Sequence, residues 1–297
     1  MLQRTVRMQP WNVSGRSDMA RTLSLGYSPC PNDTFIFYAL VHRKIDTPDI
    51  EYKEILEDVE TLNQMAQQAK LDITKVSFHA FGHLRNTYCL LRSGGALGKG
   101  CGPLVVARDK CSMRELRGKT IAIPGGLTTA FLLLQVFDPE LKQKIKVMPF
   151  HKIIDAVKNG EADAGLIIHE SRFTYQQEGL EYIMDLGAWW EQETGSPIPL
   201  GCIIARRDLG RELVQKTDVL IRKSLEYAFS NSEETKTYIK RHAQELDDHV
   251  IDQHIRLYVN DYSLDIRDEG VQAVEELFRR ATEQDIIGKS SKPLFFE

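Results

Sequence analysis

Two hundred and ninety-seven residues, 42% hydrophobic and 27% charged, describe an ordinary globular chain of roughly two domains and exclude a disordered or fibrous one. Thirty-eight basic against 42 acidic residues give a net charge of −4 with no polybasic block, which argues against nucleic-acid binding. No apolar run reaches the roughly 18 residues that span a bilayer. Five scattered cysteines (Cys30, Cys89, Cys101, Cys111 and Cys202), with no C-x-x-C, point to a reducing, cytoplasmic setting rather than a disulfide framework.

Residues 1–22 carry Arg4, Arg7 and Arg16 but no apolar core of the kind a secretory signal needs. They read as a disordered extension, or as sequence ahead of a true start at Met19. Order is expected from Leu23. A short buried strand, Leu23–Tyr27, breaks at Ser28-Pro29-Cys30-Pro31-Asn32-Asp33, where two prolines forbid a central strand and Asn32 and Asp33 suit a helix cap. A mostly buried helix then runs to about His42. A strand at Ile50–Ile55, an amphipathic helix with Val59, Leu62, Met65, Ala66 and Ala69 on one face, a strand at Leu71–Val76 and a helix at Phe78–Asn86 follow. This alternation predicts a mostly parallel sheet covered by helices.

Five glycines fall between Gly94 and Gly102, a stretch read as a mobile loop lining a cleft. It is neither a P-loop, which would need Gly at Ser93 and Ser or Thr at Gly100, nor a dinucleotide fingerprint, whose last glycine would fall at Pro103. A strand at Pro103–Asp109 precedes a second α/β series: strand Lys119–Pro124, helix Ala130–Phe137 capped by Thr128 or Thr129, strand Lys146–Phe150, helix Ile153–Asn159 and strand Ala164–Ile168. Pro199–Asp208 echoes the strand at 103–109, and charged amphipathic helices fill the chain from Glu212. Two similar strands bracketing one α/β unit suggest two crossings between lobes. One lobe then holds 23–108 and 206–285, the other 109–205, and 286–297 forms a tail whose Leu294-Phe295-Phe296 is apolar enough to dock although chain ends usually fray. Ligands belong in the cleft between lobes, where strand ends and helix N-termini converge.

No G-x-S-x-G is present, and His169-Glu170 lacks the second histidine of a zincin, Phe173 standing in its place. His79 and His83, at i and i+4, could share a metal but have no third ligand in view and read as partly exposed. His242, His249 and His254 lie in a charged helical region and read as solvated. Cys30 reads as a packed residue rather than a nucleophile. The remaining polar groups cluster at strand ends. These are Asn32 and Asp33 after the first strand, Thr74, Lys75 and Ser77 at the third, Thr128 and Thr129 at a helix N-terminus, and His169 after a buried strand. Thr128 and Thr129 suit a carboxylate cradle to which Lys75 adds a full charge. His169 is the candidate proton carrier, because imidazole titrates near neutral pH.

Ser28–Phe35, Leu56–Asn63, Leu91–Gly98, Gly165–Tyr175 and Asp185–Trp190 together resemble the 1,4-dihydroxy-6-naphthoate synthase family of futalosine-pathway menaquinone biosynthesis, over about Leu23 to Phe278. The resemblance implies an α/β, two-lobed fold of the periplasmic-binding-protein kind (type II), used as a cytoplasmic carbon–carbon lyase. The implied substrate is cyclic dehypoxanthine futalosine, with no metal or organic cofactor, and the implied general base is His169. Implied substrate contacts are Thr74, Lys75, Val76 and Ser77, with Thr128 and Thr129. The alternatives are a solute-binding or sensor module of the same shape, or the sibling chorismate dehydratase. No membrane span or nucleic-acid partner is expected, and monomer and homodimer are both compatible with the charge.

Overall fold

The computed structural model describes residues 20–243 and 247–296. Most of the extension expected at 1–22 lies outside them. Its last residues do not: strand β1 (Arg21–Tyr27) already begins at Arg21 and pairs in parallel with β2 (Ile50–Leu56). Between them, helix α1 (Pro31–Val41) starts on Pro31, whose missing N–H costs nothing in a first turn. It is buried on nearly every face, as its apolar run requires. Helix α2 (Val59–Gln67) is capped by Asp58, which accepts from the Glu60 and Thr61 amides, and presents Leu62, Asn63 and Ala66 to the core. Strand β3 (Ile73–Ser77) is buried throughout and leads directly into α3 (Phe78–Leu84) and β4 (Tyr88–Leu90).

The glycine-rich stretch is not a loose loop. Ser93 to Gly98 are buried, and Ala96–Gly98 form strand β5, paired with the long strand at 198–206. Gly94 has a φ of 79° and lies against Ile203, whose Cδ1 would stand 1.9 Å from an added Cβ. Only glycine satisfies both the conformation and the space. Gly94→Ala is therefore expected to cost about 2 kcal/mol or more by strain and overpacking. A urea midpoint equal to the parent's would contradict this account.

The second series begins at β6 (Leu104–Ala107), followed by β7 (Ile121–Ile123), α4 (Thr129–Phe137), β8 (Ile145–Val147), α5 (Ile153–Lys158), β9 (Ala164–Ile167) and the short α6 (Ser171–Thr174). Two elements not anticipated from the sequence complete it, β10 (Glu181–Asp185) and α7 (Leu186–Thr194). Strand β11 (Ile198–Arg206) returns to the first sheet. The helices α8 (Arg211–Ser230), α9 (Ser232–His242), α10 (Asp248–Tyr258), α11 (Asp261–Leu264) and α12 (Arg267–Glu283) follow.

Two sheets result, ordered β2-β1-β3-β11-β4 with β5 beside β11, and β10-β6-β9-β7-β8. Both are mixed rather than mostly parallel. The βαβ units pair in parallel, but β11 runs antiparallel to β3, β4 and β5, and β6 antiparallel to β9 and β10, because these strands arrive from the other half of the molecule. The sheets also divide the chain earlier than 108/109 and 205/206. β6 belongs to the second sheet and β11 to the first, so each bracketing strand joins the lobe it enters rather than the one it leaves.

The tail is docked, not frayed. Leu294 is buried and its carbonyl accepts from the Leu90 amide at 2.7 Å, extending β4, while the Arg207 guanidinium donates to the Phe295 carbonyl at 3.3 Å. Among the described residues no helix is long and apolar enough to cross a membrane.

Candidate functional site

The C-terminal ends of β1 and β3 open onto one cavity, which the segments after β7 and β9 close from the other sheet. From the first lobe come Ser28, Asn32 and Asp33, with Lys75, Val76 and Ser77. From the second come Thr128, Thr129 and His169. Ile168, Leu200 and Tyr258 supply apolar wall. Thr74 is not among the lining residues. Its hydroxyl donates to the Lys75 carbonyl at 3.0 Å, beneath Gly26.

Lys75 is not a free charge. Its ammonium lies 2.5 Å from Asp33 Oδ1, with side chains only 5% and 2% exposed, and reaches the Gly94 carbonyl at 3.4 Å. Asp33 is held further by Asn32 Nδ2, which donates to Oδ1 at 2.8 Å, and by the Ser28 amide and hydroxyl, which donate to Oδ2 at 3.2 and 2.8 Å. A buried pair so completely satisfied is a rigid floor for the cavity. The Ser28–Asp33 turn and Lys75 were both visible in the sequence. Their mutual pairing was not.

Thr128 is the cap of α4. Its hydroxyl donates to the Gly125 carbonyl at 2.9 Å and accepts from the Phe131 amide at 3.3 Å. The Thr129 hydroxyl donates to the Leu200 carbonyl at 2.6 Å and accepts from the His79 amide at 3.3 Å, joining the lobes. With both hydroxyls engaged, what α4 offers a ligand is its N-terminal end: the Thr129 and Ala130 amides, which have no intrahelical partners, and the positive end of the helix dipole. Glu60 was missed by the sequence reading. It reaches from α2 to the Leu127 amide at 3.2 Å, against a Gly125 where an added Cβ would lie 2.4 Å from its carboxylate. Burial pushes the Glu60 carboxyl up, offset in part by the Asn63 and Leu127 donors.

His169 follows β9 with a φ of 57°, a left-handed conformation rare for a non-glycine residue. Its ring lies 4.9 Å from Phe150 and 5.9 Å from His254 by centroid, within 4° of parallel to the latter. Burial pushes its pKa down to about 4, with the Lys75 charge in the same direction and Asp33 opposing. The ring is therefore neutral at pH 7 and carries a lone pair able to take a proton. Cys30 is packed nearby, and burial pushes its thiol well above the ordinary range, the opposite of an activated nucleophile.

Two histidines differ from expectation. His254 is not solvated but fully buried, on the inward face of α10, and its Nε2 lies 3.0 Å from Asn32 Oδ1. His79 is buried rather than partly exposed. Its Nδ1 lies 3.2 Å from the Thr128 carbonyl, and burial lowers its pKa to about 4. The charged composition of this helical segment gave no reason to single out His254, since its burial depends on α10 packing against α1.

These histidines set an acid limit on stability. His79 and His169 have folded pKa values near 4 against 6.5 for the free side chain, so between those values the unfolded chain binds more protons. Their contribution is whole above about pH 6.5 and declines as the pH falls toward 4. Urea titrations are expected to show a midpoint that drops between pH 7 and pH 4.5. His79→Gln should flatten that drop, and an unchanged slope in this variant would remove His79 from the account.

Mixed α/β sheets, paired as two lobes around a cavity of buried polar groups, define a binding-protein-like architecture with a small-molecule site. Similar solved structures include a protein from Archaeoglobus fulgidus, with a TM-score of 0.85 and 36% identity over 92% of this chain and all of that one. The alkanesulfonate-binding protein of Xanthomonas axonopodis pv. citri, at 13% identity and a TM-score of 0.67 over 90% of this chain and 94% of that one, shares the fold alone. Residues 23–283 match the family model described as menaquinone biosynthesis, and the chain belongs to that family. It is 50% identical to a 1,4-dihydroxy-6-naphthoate synthase of Thermus thermophilus, over 92% of this chain and 98% of the relative. A synthase of the same name from Streptomyces coelicolor is 43% identical over 90% and 95%.

Proposed function

We propose that this enzyme is a 1,4-dihydroxy-6-naphthoate synthase, cleaving cyclic dehypoxanthine futalosine between the lobes with His169 as general base. The activity is supported by the names of the two relatives and by their near-complete overlap with this chain. The observation that carries the base is a neutral imidazole, thrust into the cavity by a left-handed turn and facing the Asp33–Lys75 floor. Cleaving a carbon–carbon bond beside a hydroxyl requires removal of the hydroxyl proton as the bonding electrons leave toward an acceptor carbonyl in the ring system. The N-terminal end of α4 is suited to the substrate's aromatic carboxylate, since its amides are donors and its dipole favours an anion. Asn32 and Ser77 line the opposite wall, where ribose-derived hydroxyls would lie. Five free cysteines, four of them buried, support a reducing, cytoplasmic setting.

Incubating the protein with cyclic dehypoxanthine futalosine and following naphthoate by mass spectrometry tests the activity. Intact substrate, with chorismate consumed instead, would overturn it in favour of a dehydratase. Binding without turnover of either compound would favour a solute-binding module.

A further inference from the structure

Backbone hydrogen bonds in the turn that aims His169 run from the Arg172 amide to the His169 carbonyl at 3.3 Å and from the Phe173 amide to the Glu170 carbonyl at 2.8 Å. Its left-handed backbone, with a φ of 57°, is strained and persists only where the surroundings over-determine it. The helix after it, α6, has four residues. The next residue, Glu170, meets the other lobe: its Oε2 lies 3.7 Å from Nδ1 of His254 on α10.

The hydrogen bonds around His254 decide its tautomer. Asn32 Nδ2 donates to Asp33 Oδ1, and this carboxylate, paired with Lys75, can only accept. Asn32 Oδ1 is thereby turned to His254 and accepts its Nε2–H at 3.0 Å. Nδ1 is left with the lone pair, and among the described residues no hydrogen bond reaches it. Burial keeps the ring neutral, with a pKa well below the ordinary value. A buried lone pair facing a carboxyl group calls for a donor, and a carboxyl that holds its proton is one.

We propose that Glu170 and His254 form a clasp between the lobes, the protonated Glu170 carboxyl donating to His254 Nδ1, and that this clasp positions His169 for proton removal. Glu170 and His254 are then positioning residues that act through His169. The inference rests on the reading of His169 as the base.

Steady-state kinetics on cyclic dehypoxanthine futalosine test it with a small set of variants. Glu170→Ala should lose about 10–100-fold in kcat, the effect of misplacing a reacting group by about 1 Å, with KM within about threefold of the parent. Glu170→Gln should restore kcat to within about threefold, because an amide N–H donates as the neutral carboxyl does. In a His169→Ala background, Glu170→Ala should cost nothing more. His254→Leu should match Glu170→Ala, and the double variant should be no worse than either.

Parental kcat in Glu170→Ala, failure of Glu170→Gln to restore it, or a further loss in the His169→Ala background would each overturn the clasp. If His254→Leu does not fold, the Glu170 pair and the His169→Ala background decide the matter without it. The base reading fails separately, through a His169→Ala variant that turns over like the parent.

Discussion

Replacing His169 by Ala is expected to lower kcat by about 10²–10⁴-fold, the usual worth of a positioned general base, while the protein folds as the parent does. KM should change little, because the α4 terminus and the polar floor remain in place. His169→Asn is the sharper comparison: the side chain is of similar size and hydrogen-bonds, but takes no proton near neutral pH. Near-parental kcat in the Asn variant would make His169 a binding residue. The parent's pH profile gives a second check. Burial pushes the His169 pKa down to about 4, so kcat should stay level as the pH falls from 7 to about 5 and drop only near 4. An acid limb centred near 6.5, the ordinary value for histidine, would mean that the ring is solvated in the working enzyme.

Lys75→Met is expected to destabilise the protein by about 3–5 kcal/mol, the cost of leaving one partner of a buried ion pair unpaired. Asp33 would remain almost fully buried beside Asn32 and Ser28 with no cation to balance it. Lys75→Met with Asp33→Asn should recover most of that loss, since removing both charges also removes the desolvation penalty. Thermal or urea unfolding of the two variants is the measurement. If Lys75→Met melts with the parent and only raises KM, the lysine is a substrate anchor and its pairing with Asp33 is incidental to stability.

Part of this molecule was legible without coordinates. The apolar alternation of 23–77 and 119–168 determined two βαβ series, because strand and helix periods are local properties of the chain. Prolines 29 and 31 forced the turn that ends β1 and starts α1. His169, Thr128, Thr129, Asn32 and Asp33 could be singled out because they follow buried strands, and strand ends are where such folds place ligands. The five motifs marked the family.

What only the tertiary structure decided is which groups face one another. Lys75 and Asp33 are 42 positions apart in the chain, and nothing local announces that they pair beneath the cavity. His254 lies in a segment whose charge suggests solvent, and only the packing of α10 on α1 buries it against Asn32. The glycines from 94 to 98 resemble a loose loop until Ile203 and strand β11 occupy the space beside them. The antiparallel courses of β6 and β11 are likewise invisible in a local pattern, since strand direction follows from which lobe the chain has just left. Periodicity and capping act over a few residues and can be read along the sequence. Burial, ion pairing and pKa depend on atoms brought together from distant segments, and these set the chemistry of the site.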